Sequence, residues 1–162
     1  MKKLILGLIA IVTLSCTGHS QTIQKEIGVN VNGKYTVTID KEYLKEILEL
    51  QLRSDKNEAK LTKFYIKRDV IENTSKEYYI LVAQNDIGDT KIAFDLELNS
   101  NNVFVATFSS KYMIASGTCT CSGSCTKGCD PKRWMDGEGE INWRCSSCTQ
   151  ENKSCNKSVT NQ

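Results

Sequence analysis

The sequence predicts an α+β fold in which one amphipathic helix packs on an antiparallel sheet and a loop-rich, disulfide-stapled tail follows. Two observations predict the sheet and the helix. Several short segments alternate apolar and polar residues, whereas residues 41–53 repeat apolar residues at helical spacing. A two-residue period is typical of half-buried strands, and a period near 3.6 residues is typical of helices. A third observation predicts the tail, because seven of the eight cysteines lie after residue 118.

The first predicted strand begins at Ile27 and is interrupted by Asn32-Gly33. Apolar residues occupy alternate positions along it: Ile27, Val29, Val31, Tyr35, Val37 and Ile39. A two-residue hairpin at the interruption would set Val31 opposite Lys34, which pairs an apolar side chain with a charged one. The sequence therefore favours either one strand with an irregularity at Gly33 or a longer loop that sets Val31 opposite Tyr35. It does not choose between them.

The helix is predicted to run from Lys41 to about Arg53. Asp40 is a suitable N-cap, and Ile39 and Leu44 are placed to form a hydrophobic staple. The apolar side of this helix is formed by Tyr43, Leu44, Ile47, Leu48 and Leu50. We expect that side to lie on the sheet, as in most amphipathic helices of small domains.

Four more strands are predicted at residues 63–71, 77–84, 91–98 and 103–108, joined by short polar turns. The third of these alternates cleanly, with one face formed by Ile92, Phe94, Leu96 and Leu98 and the other by Lys91, Ala93, Asp95 and Glu97. Short turns favour an antiparallel meander. The order of strand, helix and four strands resembles the outline of cystatin-like folds in topology only, and so implies no activity.

The leader has the features of an export signal. Lys2 and Lys3 precede a largely apolar run at residues 4–14, which at about eleven residues is shorter than the roughly 20 that span a bilayer. Thr13-Leu14-Ser15-Cys16 resembles the lipobox of bacterial lipoproteins, although Thr13 stands where that family usually has leucine. The resemblance implies a signal peptide at 1–15, a lipid on Cys16, and a place in the bacterial cell envelope.

The alternative for the leader is ordinary cleavage after residue 20, which would leave a soluble periplasmic or secreted protein. With the lipoprotein reading, the chain divides into the signal peptide, a tether at 16–26, the α+β domain at 27–115 and the cysteine-rich tail at 116–162. The expected membrane contact is then the lipid anchor alone.

The tail has too few apolar residues to offset about 1 to 2 kcal/mol of backbone ordering entropy per residue. We expect disulfides to hold it, because an exported chain meets an oxidising compartment. The candidate residues are Cys119, Cys121, Cys125, Cys129, Cys145, Cys148 and Cys155. Seven is odd, so one cysteine stays unpaired, and the sequence does not choose the pairing.

Metal binding is the alternative for the tail. The spacing of Cys125, Cys129, Cys145 and Cys148 approximates a four-thiolate zinc site, and the pair Cys119 and Cys121 would also suit copper(I). Thiol–disulfide catalysis at Cys145-Ser146-Ser147-Cys148 is a minor alternative, because no helical pattern follows it.

The segment between the two halves of the tail is acidic. Asp136-Gly137-Glu138-Gly139-Glu140 is expected to be a solvated turn rather than a calcium loop. Trp134 and Trp143 flank the turn and are predicted to pack on each other. If they are exposed instead, they would offer a surface to a protein or glycan partner.

Charge and histidine content exclude several classes of function. The chain has 21 basic and 19 acidic residues, which argues against a nucleic-acid partner. The single histidine, His19, lies in the leader or tether, so the folded part lacks the imidazole of serine- and cysteine-based triads. The sequence predicts a non-enzymatic binding or structural protein without a resident cofactor.

Overall fold

The computed structural model describes residues 22–109, 115, 117–125 and 127–160, so Cys16 and the leader lie outside the described residues. These residues contain ten strands and one helix. The first elements are β1 (Thr22–Val31), β2 (Lys34–Val37), α1 (Lys41–Ser54), β3 (Leu61–Val70), β4 (Glu77–Asn85), β5 (Thr90–Leu98) and β6 (Val103–Ser109). The cysteine-rich segment adds β7 (Thr118–Gly123), β8 (Pro131–Met135), β9 (Ile141–Cys145) and β10 (Cys155–Thr160).

The α+β, cystatin-like prediction is wrong, because the protein is mostly β. Eight strands form one antiparallel sheet that curves into a nearly closed, barrel-like shape, and β8 and β9 form a separate hairpin. Strand β5 is central, with β4 along one edge. Its other edge is shared by β7 at residues 90–93 and by β6 at residues 97–98.

The prediction failed at the tail, which was expected to be loop-rich. Strand β7 alternates threonine and cysteine at Thr118, Cys119, Thr120 and Cys121, and all four are buried. Cysteine behaves as a small apolar residue when it is buried. The tail therefore has a two-residue apolar period in which the apolar residues are cysteines. This segment forms β7, which pairs with β5 on one side and β10 on the other.

Strands β1 and β2 form the two-residue hairpin that the sequence analysis disfavoured. Val31 pairs with Lys34, and Asn32 and Gly33 have φ angles of 52° and 81°, as a type I′ turn requires. Asn30 Oδ1 accepts a hydrogen bond from Gly33 N–H at 2.9 Å. The apolar mismatch costs little because Val31 lies at the exposed tip of the hairpin, with 58% of its surface accessible.

The predicted helix and the positions of the strands within residues 61–109 are confirmed. Asp40 caps α1 by accepting a hydrogen bond from Tyr43 N–H at 2.9 Å. The helix buries Leu44, Ile47, Leu48 and Leu52 against the sheet, whereas Leu50 is exposed. No helix within the described ranges is long and apolar enough to cross a membrane.

Two apolar clusters lie on opposite faces of β4 and β5. The inner cluster, enclosed by the curved sheet and α1, includes Leu81, Ala83, Ile92, Phe94, Leu96, Phe104 and Phe108. The outer cluster comprises Ile80, Val82, Ala93, Cys119, Cys121, Cys125, Cys129 and Trp143. Successive residues of a strand point to opposite faces, so each strand supplies both clusters. The outer face that was expected to be polar is therefore covered by the tail.

Candidate functional site: a cleft beside the β8–β9 hairpin

The β8–β9 hairpin lies over the outer face of the sheet. Its backbone is attached to residue Glu72, whose N–H donates to the carbonyl of Arg133 at 3.0 Å and whose carbonyl accepts from Met135 N–H at 3.1 Å. Trp143 Nε1 donates to the carbonyl of Gly117 at 3.0 Å. The Tyr78 hydroxyl accepts from the backbone N–H of Arg133 at 3.1 Å. These hydrogen bonds fix the hairpin against the sheet.

Arg133 is the central side chain of this contact. Its guanidinium stacks on the Trp143 ring, 3.9 Å from the ring centroid, and forms an ion pair with Asp95 on β5. The Arg133 side chain is 15% exposed, so it is held between the hairpin and the sheet. A guanidinium suits this position because its flat faces stack on aromatic rings while its edge binds a carboxylate.

A surface cleft of about 380 Å³ lies where the hairpin meets β4 and β5. Most of its walls are formed by the apolar and aromatic side chains of Ile71, Tyr78, Tyr79, Leu96 and Ile141. The charged side chains of Glu77, Asp95 and Arg133 complete them. This volume lies within the range of about 300 to 1,000 Å³ that ligand sites occupy. Burial raises the pKa of Tyr78 to about 12, so its hydroxyl stays protonated at neutral pH.

A second ion pair joins β5 to the tail. Lys91 Nζ lies 2.7 Å from Asp130 Oδ1 and donates to the carbonyl of Gly128 at 2.8 Å. Lys91 is only 6% exposed. The polar positions of β5 thus bind charged residues of the tail, with Lys91 on Asp130 and Asp95 on Arg133.

Three disulfides close the outer cluster, which confirms the prediction that the tail is disulfide-bonded. They join Cys121 to Cys145, Cys125 to Cys148, and Cys129 to Cys155. The Cα atoms of each pair are 5.5 to 5.8 Å apart, within the usual range. Disulfides persist in oxidising compartments, so this chain functions outside the cytoplasm.

Cys119 is the free cysteine of the described residues, and it is fully buried. Its Sγ lies 3.9 Å from Cys121 Sγ, and the Sγ atoms of Cys119, Cys121 and Cys145 all lie within 4.8 Å of one another. Burial raises the pKa of the Cys119 thiol to about 12, so it is protonated at neutral pH.

The four cysteines predicted as an alternative zinc site are not brought together as a set. Cys125 and Cys148 are bonded to each other, whereas Cys145 and Cys129 are bonded to other partners. The pair Cys145 and Cys148, considered for redox catalysis, is divided between two disulfides. The cysteine cluster that forms instead includes Cys119 and Cys121, the pair that the sequence suggested for copper(I).

The tryptophans and the acidic turn also have defined places. Arg133 pairs with Trp143 across the hairpin, so the next residue, Trp134, faces the opposite side. The prediction that Trp134 packs on Trp143 is therefore wrong. Asp136 Oδ1 accepts hydrogen bonds from the N–H groups of Glu138 and Glu140 at 3.0 and 2.8 Å. One carboxylate of the acidic segment therefore closes the turn.

Sequence reasoning missed the cleft and the role of Arg133 in it. A signal was present, because Lys91 and Asp95 on one face of β5 have opposite charges to Asp130 and Arg133 in the tail. Comparison of the chain with protein-family models, with curated proteins and with solved structures finds no match. The function is therefore inferred from the fold and the cleft.

Proposed function

We propose that this chain is a non-catalytic binding protein of the bacterial cell envelope, anchored through a lipid on Cys16. The cleft between the sheet and the β8–β9 hairpin is the observation that carries the proposal. The ion pair of Arg133 with Asp95 and the hydrogen bonds of Tyr78 and Glu72 to the hairpin backbone hold its walls in place. Such preorganisation lowers the entropy lost when a partner binds.

The partner that fits this cleft best is a protein that inserts an apolar side chain. Ile71, Leu96 and Ile141 give the walls an apolar surface, and charged groups lie beside them. Binding hot spots have this arrangement of an apolar pocket surrounded by polar groups. A sugar ring fits less well, because Arg133 covers the face of Trp143 and Trp134 does not line the cleft.

The charged and polar groups in the cleft support binding rather than catalysis. General acid–base catalysis needs a group whose pKa lies near the working pH. The carboxylate of Asp95 is paired with Arg133, and the raised pKa of Tyr78 keeps that hydroxyl protonated. The residues after position 21 contain no histidine.

The test uses the full chain in its own envelope. A photo-crosslinking amino acid is placed at Ile141, which is 39% exposed beside the cleft, or at Ile87, which is 65% exposed in the turn at the far end of β4 and β5. We expect one protein adduct from position 141 and none from 87. The identified partner should then bind Ile141→Ala about tenfold more weakly, a loss of about 1.4 kcal/mol, and bind Ile87→Ala unchanged. Equal effects of the two substitutions would reject the cleft as the site.

The lipid anchor has its own test. Cys16→Ser should move the chain from the membrane fraction to the soluble fraction, and the intact mass should lose its acyl chains. An unchanged distribution would favour the soluble alternative. One equivalent of zinc or copper in the purified native protein would instead place the chain in the metal-binding class.

A further inference from the structure

Cys119 lies beside a bond that its own thiol can attack. Cys119 and Cys121 are two residues apart on β7, so both side chains point to the outer cluster. Cys121 is bonded to Cys145 on β9, and the three sulfur atoms lie within 4.8 Å of one another. A thiol, a disulfide and short distances between their sulfur atoms are the requirements for thiol–disulfide exchange.

Burial limits Cys119 to this one reaction. The residue has no accessible surface, so dissolved oxidants, metals and alkylating reagents do not reach it in the folded state. Cys145, in contrast, is only half-buried at the end of β9. Its bond to Cys121 is the electrophile that the cluster places next to the thiol.

We propose that Cys119 is a second partner for Cys145, so that the covalent link between β7 and β9 can occupy either of two positions. In the exchange, the Cys119 thiolate attacks Cys145 Sγ. A Cys119–Cys145 bond forms, the Cys121–Cys145 bond breaks, and Cys121 leaves as a thiolate. Cys121 then takes up the proton that Cys119 released, so the step needs no external oxidant or reductant.

Attack on Cys145 is favoured over attack on Cys121 by the geometry of the products. A Cys119–Cys121 bridge would join two residues of one strand, whose Cα atoms are about 6.6 Å apart in extended backbone. That spacing is close to the upper limit of about 6.8 Å for a disulfide. A Cys119–Cys145 bridge joins the same two strands as before.

The exchange would move the hairpin relative to the sheet. The Cys119 and Cys145 sulfur atoms, which now lie within 4.8 Å of each other, would close to about 2 Å in the new bond, so β9 would shift by up to about 3 Å toward Cys119. The hydrogen bond from Trp143 to the Gly117 carbonyl and the ion pair of Arg133 with Asp95 both depend on the present position of the hairpin. The second isomer would therefore have a differently shaped cleft.

The rate of exchange depends on the thiolate of Cys119. The charged groups that face it are Lys157 on β10, Arg133 on β8 and Asp95 on β5, and burial outweighs their combined effect on its pKa. The thiolate is thus a small fraction at neutral pH. While the pH stays below the pKa, the thiolate fraction rises about tenfold for each unit by which the pH increases, and the rate of exchange should rise with it.

Differential alkylation of the native protein tests the proposal. Samples held at a series of pH values are quenched in acid, denatured and treated with one alkylating reagent, then reduced and treated with a second. Both cysteines lie on the tryptic peptide 112–127, so fragmentation between them must locate the first label. We expect the first label on Cys119 at the start of the incubation, and a share on Cys121 that grows with time and grows faster as the pH is raised. Label confined to Cys119 at every pH overturns the proposal, as does label on Cys145.

Two variants make the test independent of pH. In Cys121→Ser, the proposal requires a Cys119–Cys145 bridge with the other two bridges unchanged, and two free thiols would overturn it. In Cys119→Ser, no cysteine should take the first label at any pH. Label on Cys121 in that variant would show that the Cys121–Cys145 bond opens without the Cys119 thiol, which also rejects the role of Cys119.

Discussion

The inner and outer clusters lie on the two faces of the same strands, yet they are held together in different ways. The inner cluster is hydrocarbon packing, with edge-to-face aromatic pairs such as Phe94 and Phe108, whose ring centroids are 5.8 Å apart. The outer cluster contains few large apolar side chains and four buried cysteines. Three disulfides, together with ion pairs such as Lys91–Asp130 and Arg133–Asp95, hold the tail on this face in place of large apolar side chains.

This difference suggests that one cluster supplies the folding free energy and the other fixes the position of the hairpin. Packing of large side chains supplies most of the folding free energy of a small domain. Disulfides instead act largely by restricting the unfolded chain, and they fix the position of the elements they join. We infer that the inner cluster folds the sheet, whereas the outer cluster positions the β8–β9 hairpin that forms one side of the cleft.

Complete reduction should produce the largest effect and test that separation directly. The three bridges span 23, 24 and 26 residues, and each loop of this size contributes about 3 kcal/mol. We expect the amides of β8 and β9 to lose hydrogen-exchange protection while those of α1 and β6 keep it. Simultaneous loss of protection in both regions would show that the clusters form one cooperative unit.

Two adjacent residues of β4 sharpen the comparison. Leu81 belongs to the inner cluster, Ile80 to the outer one, and both are fully buried. Each alanine substitution should cost about 2 to 5 kcal/mol in the oxidised protein. After reduction, Leu81→Ala should keep its cost and Ile80→Ala should lose most of its own, because its surroundings are already open. Urea denaturation of both variants in both states measures this, and equal costs after reduction would contradict it.

The same contrast explains what the sequence could predict. Alternation in Ile92, Phe94 and Leu96 placed β5 and its inner face correctly, because a two-residue apolar period is a local signal. Local signals also placed α1 and its cap at Asp40. They did not give the fold class, because the partner of β5 at Cys119 and Cys121 is remote in sequence and its apolar positions are cysteines.

The cleft could not be predicted from the sequence for a related reason. Its walls come from β4, β5, the β3–β4 connection and the hairpin, which are brought together by tertiary pairing rather than by spacing along the chain. Trp143 was chosen as a partner for Trp134, but the hairpin register sets it opposite Arg133 instead. A register error of one residue moves a side chain to the other face, so such assignments need the strand pairing itself.

The ion pair of Lys91 and Asp130 should have a smaller effect than the packing substitutions. Asp130→Ala leaves the ammonium of Lys91 buried without its carboxylate, and should cost about 1 to 3 kcal/mol. Lys91→Met combined with Asp130→Ala should cost less than Asp130→Ala alone, because no buried charge then remains. Denaturation of the single and double variants at neutral pH measures this. A double variant less stable than Asp130→Ala would show that Lys91 stabilises the protein by more than this pairing.

The smallest expected effect belongs to Glu49, a buried carboxylate beside the inner cluster. Burial raises its pKa, but the hydrogen bond from Leu61 N–H at 3.0 Å and the contact with Lys60 outweigh burial and hold the pKa below its ordinary value. Such a carboxylate stabilises the folded state above its ordinary pKa, and that contribution is lost as the pH falls through the lowered value. Glu49→Gln should therefore cost about 0.5 to 1 kcal/mol at neutral pH and nothing in strong acid. The exposed Glu46→Gln is the matched control, and a Glu49→Gln cost that stays constant with pH would assign the effect to packing instead of charge.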